Sequence, residues 1–133
     1  TCKVNNDDVF DLYYTRLYTY NTSANVNNEM LLKTSNSLFA FTAKSGVDVP
    51  SRTFSVQNST NVTSGGSAGV KSLSITNGKV IEDGGLSTTG VVVDSIYMEV
   101  TLDAAASLKL GVSDGTKLVI SGVRRTGWNE DDF

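Results

Sequence analysis

Three carboxylates, Asp94, Glu99 and Asp103, lie in or beside the most strand-like run of this 133-residue chain. Two carboxyl groups flanking one bond are enough to hydrolyse a glycoside, one acting as acid and the other as base or nucleophile. The spacing argues against that chemistry. Side chains alternate along a strand, so Asp94 and Glu99, an odd number of residues apart, point to opposite faces. Glu99 and Asp103 share parity, but Asp103 falls at the end of the run. All three read as solvated surface charges.

Other mechanisms are excluded by residue type. The chain contains no histidine, which removes imidazole-activated serine or cysteine nucleophiles and histidine zinc sites. The single cysteine, Cys2, cannot form a thiolate cage or an internal disulfide and reads as an incidental thiol. No Gly-x-x-x-x-Gly-Lys-Ser/Thr loop or dinucleotide fingerprint is present. The acidic clusters Asn5-Asn6-Asp7-Asp8 and Asn129-Glu130-Asp131-Asp132 do not match a calcium loop, and they read as hydrated surface. Neither a metal nor a cofactor is expected, and no enzyme activity. Asn-x-Ser/Thr sequons at Asn21, Asn58 and Asn61 occur about as often as this composition would produce them by chance.

A net charge of −3, with Arg124-Arg125 the one adjacent basic pair, leaves no basic face for nucleic acid. No apolar run reaches 18 residues, so no transmembrane helix is predicted and membrane insertion is not expected. Thr1 at the start fits either removal of an initiator methionine or cleavage of a leader.

What remains is aromatic. Tyr13, Tyr14, Tyr18 and Tyr20 are four of the five tyrosines. A flat apolar ring with a hydrogen-bonding tip suits a subunit interface, a saccharide face or a core edge. The tail 124–133 carries Trp128, the only tryptophan, and Phe133. It can dock on a neighbour or fold back on its own domain. These six residues are the candidate interface.

The elements that would position them are strands. The chain holds 16 Ser, 15 Thr and 11 Asn, types that disfavour helix interiors or suit hydrated strand faces. Asp114-Gly115, between Leu108–Ser113 and Thr116–Ser121, predicts a tight hairpin. Asn77-Gly78, between Val70–Thr76 and Lys79–Ile81, predicts a second. Val91–Leu102 alternates with Ile96, Met98, Val100 and Leu102 on the inner side. Asp103–Ala106 reads as a turn or one helical turn. Phe39 with Phe41, and Phe54 with Val56 after Pro50, mark two further strands. Residues 58–69 read as an exposed polar loop. The segment 9–20 fits a strand better than a helix, although Val9, Leu12, Tyr13, Leu17 and Tyr20 would form a helical stripe capped by Asp7 or Asp8. Residues 28–33 fit a strand or a short helical turn.

The expectation is an all-β, single-domain antiparallel β-sandwich or barrel-like fold of seven or eight strands, with jelly-roll and immunoglobulin-like topologies both open. One domain would cover 1–133, with 1–20 an extended interaction arm and 124–133 an aromatic-acidic tail. In size, β content and Ser/Thr/Gly richness the chain resembles small phage capsid decoration proteins, a likeness that carries no motif and transfers no residue. The function expected is a non-enzymatic assembly subunit on a virion surface or in an extracellular filament, acting through self-association or lattice contacts. The alternative is a carbohydrate-binding or adhesive module.

Overall fold

The computed structural model describes residues 2–4, 7–8, 16–34, 39–63, 68–128 and 130. The fold is all-β. Its strands are β1 (Cys2–Val4), β2 (Asp7–Asp8), β3 (Leu17–Tyr20), β4 (Glu29–Thr34), β5 (Phe41–Asp48), β6 (Thr53–Thr60), β7 (Ser72–Leu86), β8 (Val92–Leu102) and β9 (Leu118–Val123), with one helix, α1 (Ala104–Leu110), between β8 and β9. They form one antiparallel sheet in the order β2-β1-β9-β8-β7-β6-β5-β4-β3. From β3 to β9 each strand pairs with its neighbour in sequence, and β1 then adds to β9.

Chain length forces this sheet to curl. Adjacent strands lie about 4.8 Å apart, so a flat sheet of this order would separate its edges β2 and β3 by roughly 38 Å. The backbone from Asp8 to Leu17 reaches only about 30–32 Å when fully extended. The sheet bends into a half-barrel, so the barrel-like alternative is the one formed. The described parts of the 1–20 segment lie within the sheet, at its two ends.

One face of the sheet holds the core. Cross-strand pairs put Leu32 beside Ala43, Val47 beside Phe54, Val56 beside Ile75, Leu73 beside Leu102 and Val100 beside Leu118. Leu32, Phe41, Ala43, Ile75, Met98 and Val100 are fully buried, and Phe39, Phe54, Val56 and Leu73 nearly so. Each such side chain contributes about 1.5–3 kcal/mol by leaving water. The alternations read at 39–41, 54–56 and 96–102 thus fall on the buried face. Residues 29–34 are a strand, as is the described end of the 9–20 run.

Both predicted tight hairpins are corrected. Leu108–Leu110 is helical. Asp103 caps the helix, its side chain accepting from Ala106 N, while Gly111 closes the other end in the left-handed region at φ 76°. An Ala-rich run between those caps outweighs the local strand-like alternation. Asp114-Gly115 makes a turn, with Thr116 N–H donating to Ser113 O at 3.1 Å, but it joins α1 to β9 rather than two strands. Asp103–Ala106, expected as one turn at most, opens a seven-residue helix.

Asn77-Gly78 is a β-bulge within the 15-residue β7. Thr76 faces Glu99 and Lys79 faces Tyr97, so two residues of β7 sit opposite Met98 alone. Asn77 takes φ 51°. Gly78 is needed because a Cβ there would lie 2.5 Å from the Phe54 ring. The long partner β8 keeps β7 extended where an isolated Asn-Gly would turn back.

The exposed loop expected at 58–69 is also corrected in part. β6 runs through Thr60, and Ala68 is buried. Asn61 is a clamp. Its Oδ1 accepts from Thr42 N at 2.9 Å, and its Nδ2 donates to Ala40 O and Val70 O at 3.0 and 2.8 Å.

Candidate functional site

The meander places the β3–β4, β5–β6 and β7–β8 connections at one end of the sheet, and α1 at the other. At the first end, β7 and β8 outrun their neighbours. Pairing of β6 with β7 stops at Thr53 with Lys79, just before the Val80 N–H bond to Arg52 O. Pairing of β9 with β8 stops at Val123 with Ser95, just before the Arg124 N–H bond to Asp94 O. Beyond these points the β7–β8 hairpin projects as a two-stranded finger.

Residues 84–93 of that finger, Gly-Gly-Leu-Ser-Thr-Thr-Gly-Val-Val-Val, carry no charge. Leu86, Val91 and Val92 are 63%, 49% and 56% exposed. Leu86 pairs with Val92 on the face continuous with the core, while Val93 and Ile81 lie on the other, so both faces of the finger carry apolar side chains. The turn at the tip closes on itself: Ser87 N–H donates to Val91 O at 2.8 Å, Gly90 N–H to Ser87 O at 3.0 Å, and Val91 N–H to Ser87 Oγ at 3.1 Å.

Charge gathers at the neck, in closed pairs. Arg52 meets Glu82 at 2.6 Å and Arg124 meets Asp94 at 3.7 Å. Asp94 also accepts from Asp83 N–H at 3.1 Å. A second bulge sits here, between the Ile81–Ser95 and Gly85–Val93 pairs, with Asp83 at φ 53°. A Cβ on Gly85 would come within 2.5 Å of Val123 Cγ1, so its absence lets β9 close over the neck.

Further back on the outer face lies a shallow recess of about 310 Å³ lined by Thr53, Asn77, Gly78, Lys79, Tyr97 and Glu99. The Glu99 carboxylate accepts from Asn77 Nδ2 at 3.1 Å, Tyr97 OH at 3.2 Å and Thr76 Oγ1 at 3.4 Å, and pairs with Lys117 Nζ at 3.2 Å. The Asn77 amide and the Lys117 ammonium hold it below the usual carboxylate range. Burial, and then Glu99 itself, push the Tyr97 phenol up. Lys79 Nζ lies 5.1 Å from the centre of the Tyr97 ring.

This recess does not hold the carboxyl pair that glycoside hydrolysis uses. A carboxylic acid that delivers a proton near neutrality needs a raised pKa, whereas Glu99 is held ionised. It is the one carboxylate among the lining residues. Asp94 lies on the opposite face of the regular strand β8, as parity required. Asp103 binds backbone: its carboxylate accepts from Lys71 N, Ala106 N and Ser72 N at 2.7, 2.9 and 3.3 Å. Burial raises its pKa, but these donors outweigh it and the net shift is downward.

Of the six candidate interface residues, Tyr18, Tyr20 and Trp128 lie among the described residues. Tyr13, Tyr14 and Phe133 lie outside the described residues. Tyr18 and Tyr20 stand on the outer face of the edge strand β3, their rings stacked with centroids 6.1 Å apart. Trp128 is 69% exposed and follows β9, within about 14 Å of chain from Arg124 at the finger's neck. Sequence reading missed the finger. Its signal is the uncharged, valine-rich stretch at 84–93, of which the sequence reading takes only Val91–Val93 into a strand.

A family model described as "Lipid-binding putative hydrolase" matches residues 1–129. The chain belongs to that family. No curated protein matches it.

Proposed function

We propose that this member of the lipid-binding family acts as a non-catalytic lipid-binding domain, and that the β7–β8 finger makes the contact. The observation that carries the reading is an uncharged, two-sided apolar hairpin that projects beyond every strand able to cover it. A two-stranded ribbon is marginal in water, and exposed apolar clusters mark binding surfaces. Lipid fits because the tip brings no charge to desolvate and its turn closes on hydrogen bonds of its own. Covering the exposed parts of Leu86, Val91 and Val92 is worth roughly 1 kcal/mol each. Such a hairpin needs no 18-residue apolar run, so the expectation against membrane insertion, which rested on the missing run, does not bear on it.

A non-catalytic reading is supported by the lowered pKa of Glu99 and by the separation of Asp94 and Asp103 from it. Sedimentation with phospholipid vesicles tests the proposal. A Leu86→Ser/Val92→Ser variant should keep the wild-type melting temperature and lose roughly tenfold or more in vesicle affinity, in line with the area removed. Unchanged affinity would discard the finger as the contact.

A second reading is favoured by the stacked Tyr18–Tyr20 pair: attachment to a glycan or to a neighbouring subunit through the edge strand β3. This is the assembly or adhesive role inferred from composition, on a virion surface or an extracellular filament. Light scattering over a dilution series, with and without Tyr18→Ser/Tyr20→Ser, tests self-association. A glycan array tests the sugar.

A further inference from the structure

The finger is not alone at its end of the sheet. The β3–β4 turn carries Val26, 46% exposed, and the β5–β6 turn carries Val49, 57% exposed. With Leu86, Val91 and Val92 of the finger, all three connections at this end present an uncovered apolar side chain. The finger is also apolar on both faces, so neither face favours lying flat. On these grounds, and resting on the lipid-binding reading above, we propose that the protein docks end-on into one leaflet of an electrically neutral, zwitterionic lipid surface. The finger would enter the leaflet and the two shorter turns would rest on it.

The neck sets the depth. Charges resume at Asp83 and Asp94, so the uncharged tip extends about 10 Å along β8 at 3.3 Å per residue. That matches the 5–10 Å to which interfacial elements bury their apolar parts, and is far short of the ~30 Å hydrocarbon core. The neck also selects the headgroup. Arg52–Glu82 and Arg124–Asp94 are closed pairs, Asp83 and Arg125 bring one further charge of each sign, and the chain as a whole carries −3. Attraction to anionic lipid needs uncompensated Lys or Arg near the surface, and this neck offers no net positive charge. A phosphatidylcholine surface makes no such demand.

The test combines depth and charge. A tryptophan placed at the tip (Val92→Trp) or on α1 at the opposite end (Leu108→Trp), each in a Trp128→Phe background, is mixed with phosphatidylcholine vesicles carrying brominated acyl chains. The expected result is strong quenching of the tip tryptophan and none at 108, with affinity unchanged by salt and no higher on vesicles rich in phosphatidylserine. Glu82→Gln/Asp94→Asn releases both arginines. It should raise affinity for the phosphatidylserine vesicles by about fivefold per released charge and make it salt-sensitive. Vesicle binding without quenching at the tip, or with quenching at 108, would overturn end-on docking and leave lipid binding standing. Wild-type binding to anionic vesicles alone would overturn the neutral-surface assignment. Binding to neither vesicle would sink this inference and the reading beneath it.

Discussion

Asn61 shows how much one side chain can hold. Its amide saturates Thr42 N–H, Ala40 O and Val70 O, tying the start of β5 to the entry into β7. Truncation to Ala strands several backbone groups at once, so Asn61→Ala should destabilise by about 3 kcal/mol. Asn61→Asp should be no better, because it keeps the acceptor but sets a second oxygen against two carbonyls. Chemical denaturation of the two variants checks both statements, and rescue by Asp would refute the donor role. The neighbouring Thr42 runs the other way. It is buried, and its hydroxyl has no hydrogen-bond partner among the described residues. Thr42→Val keeps the shape and removes an unpaired polar atom, so a gain of about 1 kcal/mol is expected in the same assay.

At the scale of elements, Asp103 joins α1 to β7. One carboxylate caps the helix through Ala106 N–H and binds Lys71 and Ser72 N–H on the approach to β7. Asp103→Ala should lower stability by about 2 kcal/mol at neutral pH. Because the folded-state pKa is depressed, this contribution is complete above the ordinary Asp value of about 3.9 and is lost as pH falls through the lower folded value. Melting temperatures of wild type and variant should therefore converge as pH drops below about 4. A gap that stays constant into strong acid would mean that the carboxylate's charge is not what stabilises the cap. The β7 bulges belong to this scale too. Asn77-Gly78 has turn chemistry and still does not reverse the chain, because β8 supplies a partner on both sides of it.

For the whole molecule, the curled sheet separates two tasks. The core between β4 and β9 is built from pairs lying between the finger's neck and α1, and no residue of the core cluster falls within 81–96 apart from the partly buried Ile96. Replacing residues 85–92 with a short turn should therefore leave the melting temperature nearly unchanged while abolishing vesicle binding. A large drop in melting temperature would show that the finger is part of the fold rather than an appendage. The same separation places α1, which carries the exposed Leu108, about 26 Å from the finger's base at Asp94, measured along β8 to Leu102, which is why the helix serves as the reference position for depth.

Residue types and spacing by themselves determined several things. The core faces at 39–41, 54–56 and 96–102 were legible because period-2 alternation is a local property of the strand. The opposite placement of Asp94 and Glu99 followed from the same parity. The lack of histidine ruled out imidazole chemistry before any coordinates. Local signals mislead where they compete: the Asp-Gly turn at 114–115 suggests a hairpin, while the Asp103 cap, the Ala run and the Gly111 stop make α1. Other features were decided by pairing partners distant in sequence. The length of β8 turned an Asn-Gly into a bulge, the distance from β2 to β3 made the sheet curl, and the early endings of β6 and β9 left residues 84–93 uncovered. Exposure is the difference between a strand that has a neighbour and one that has none, and neighbours are assigned only when the chain folds.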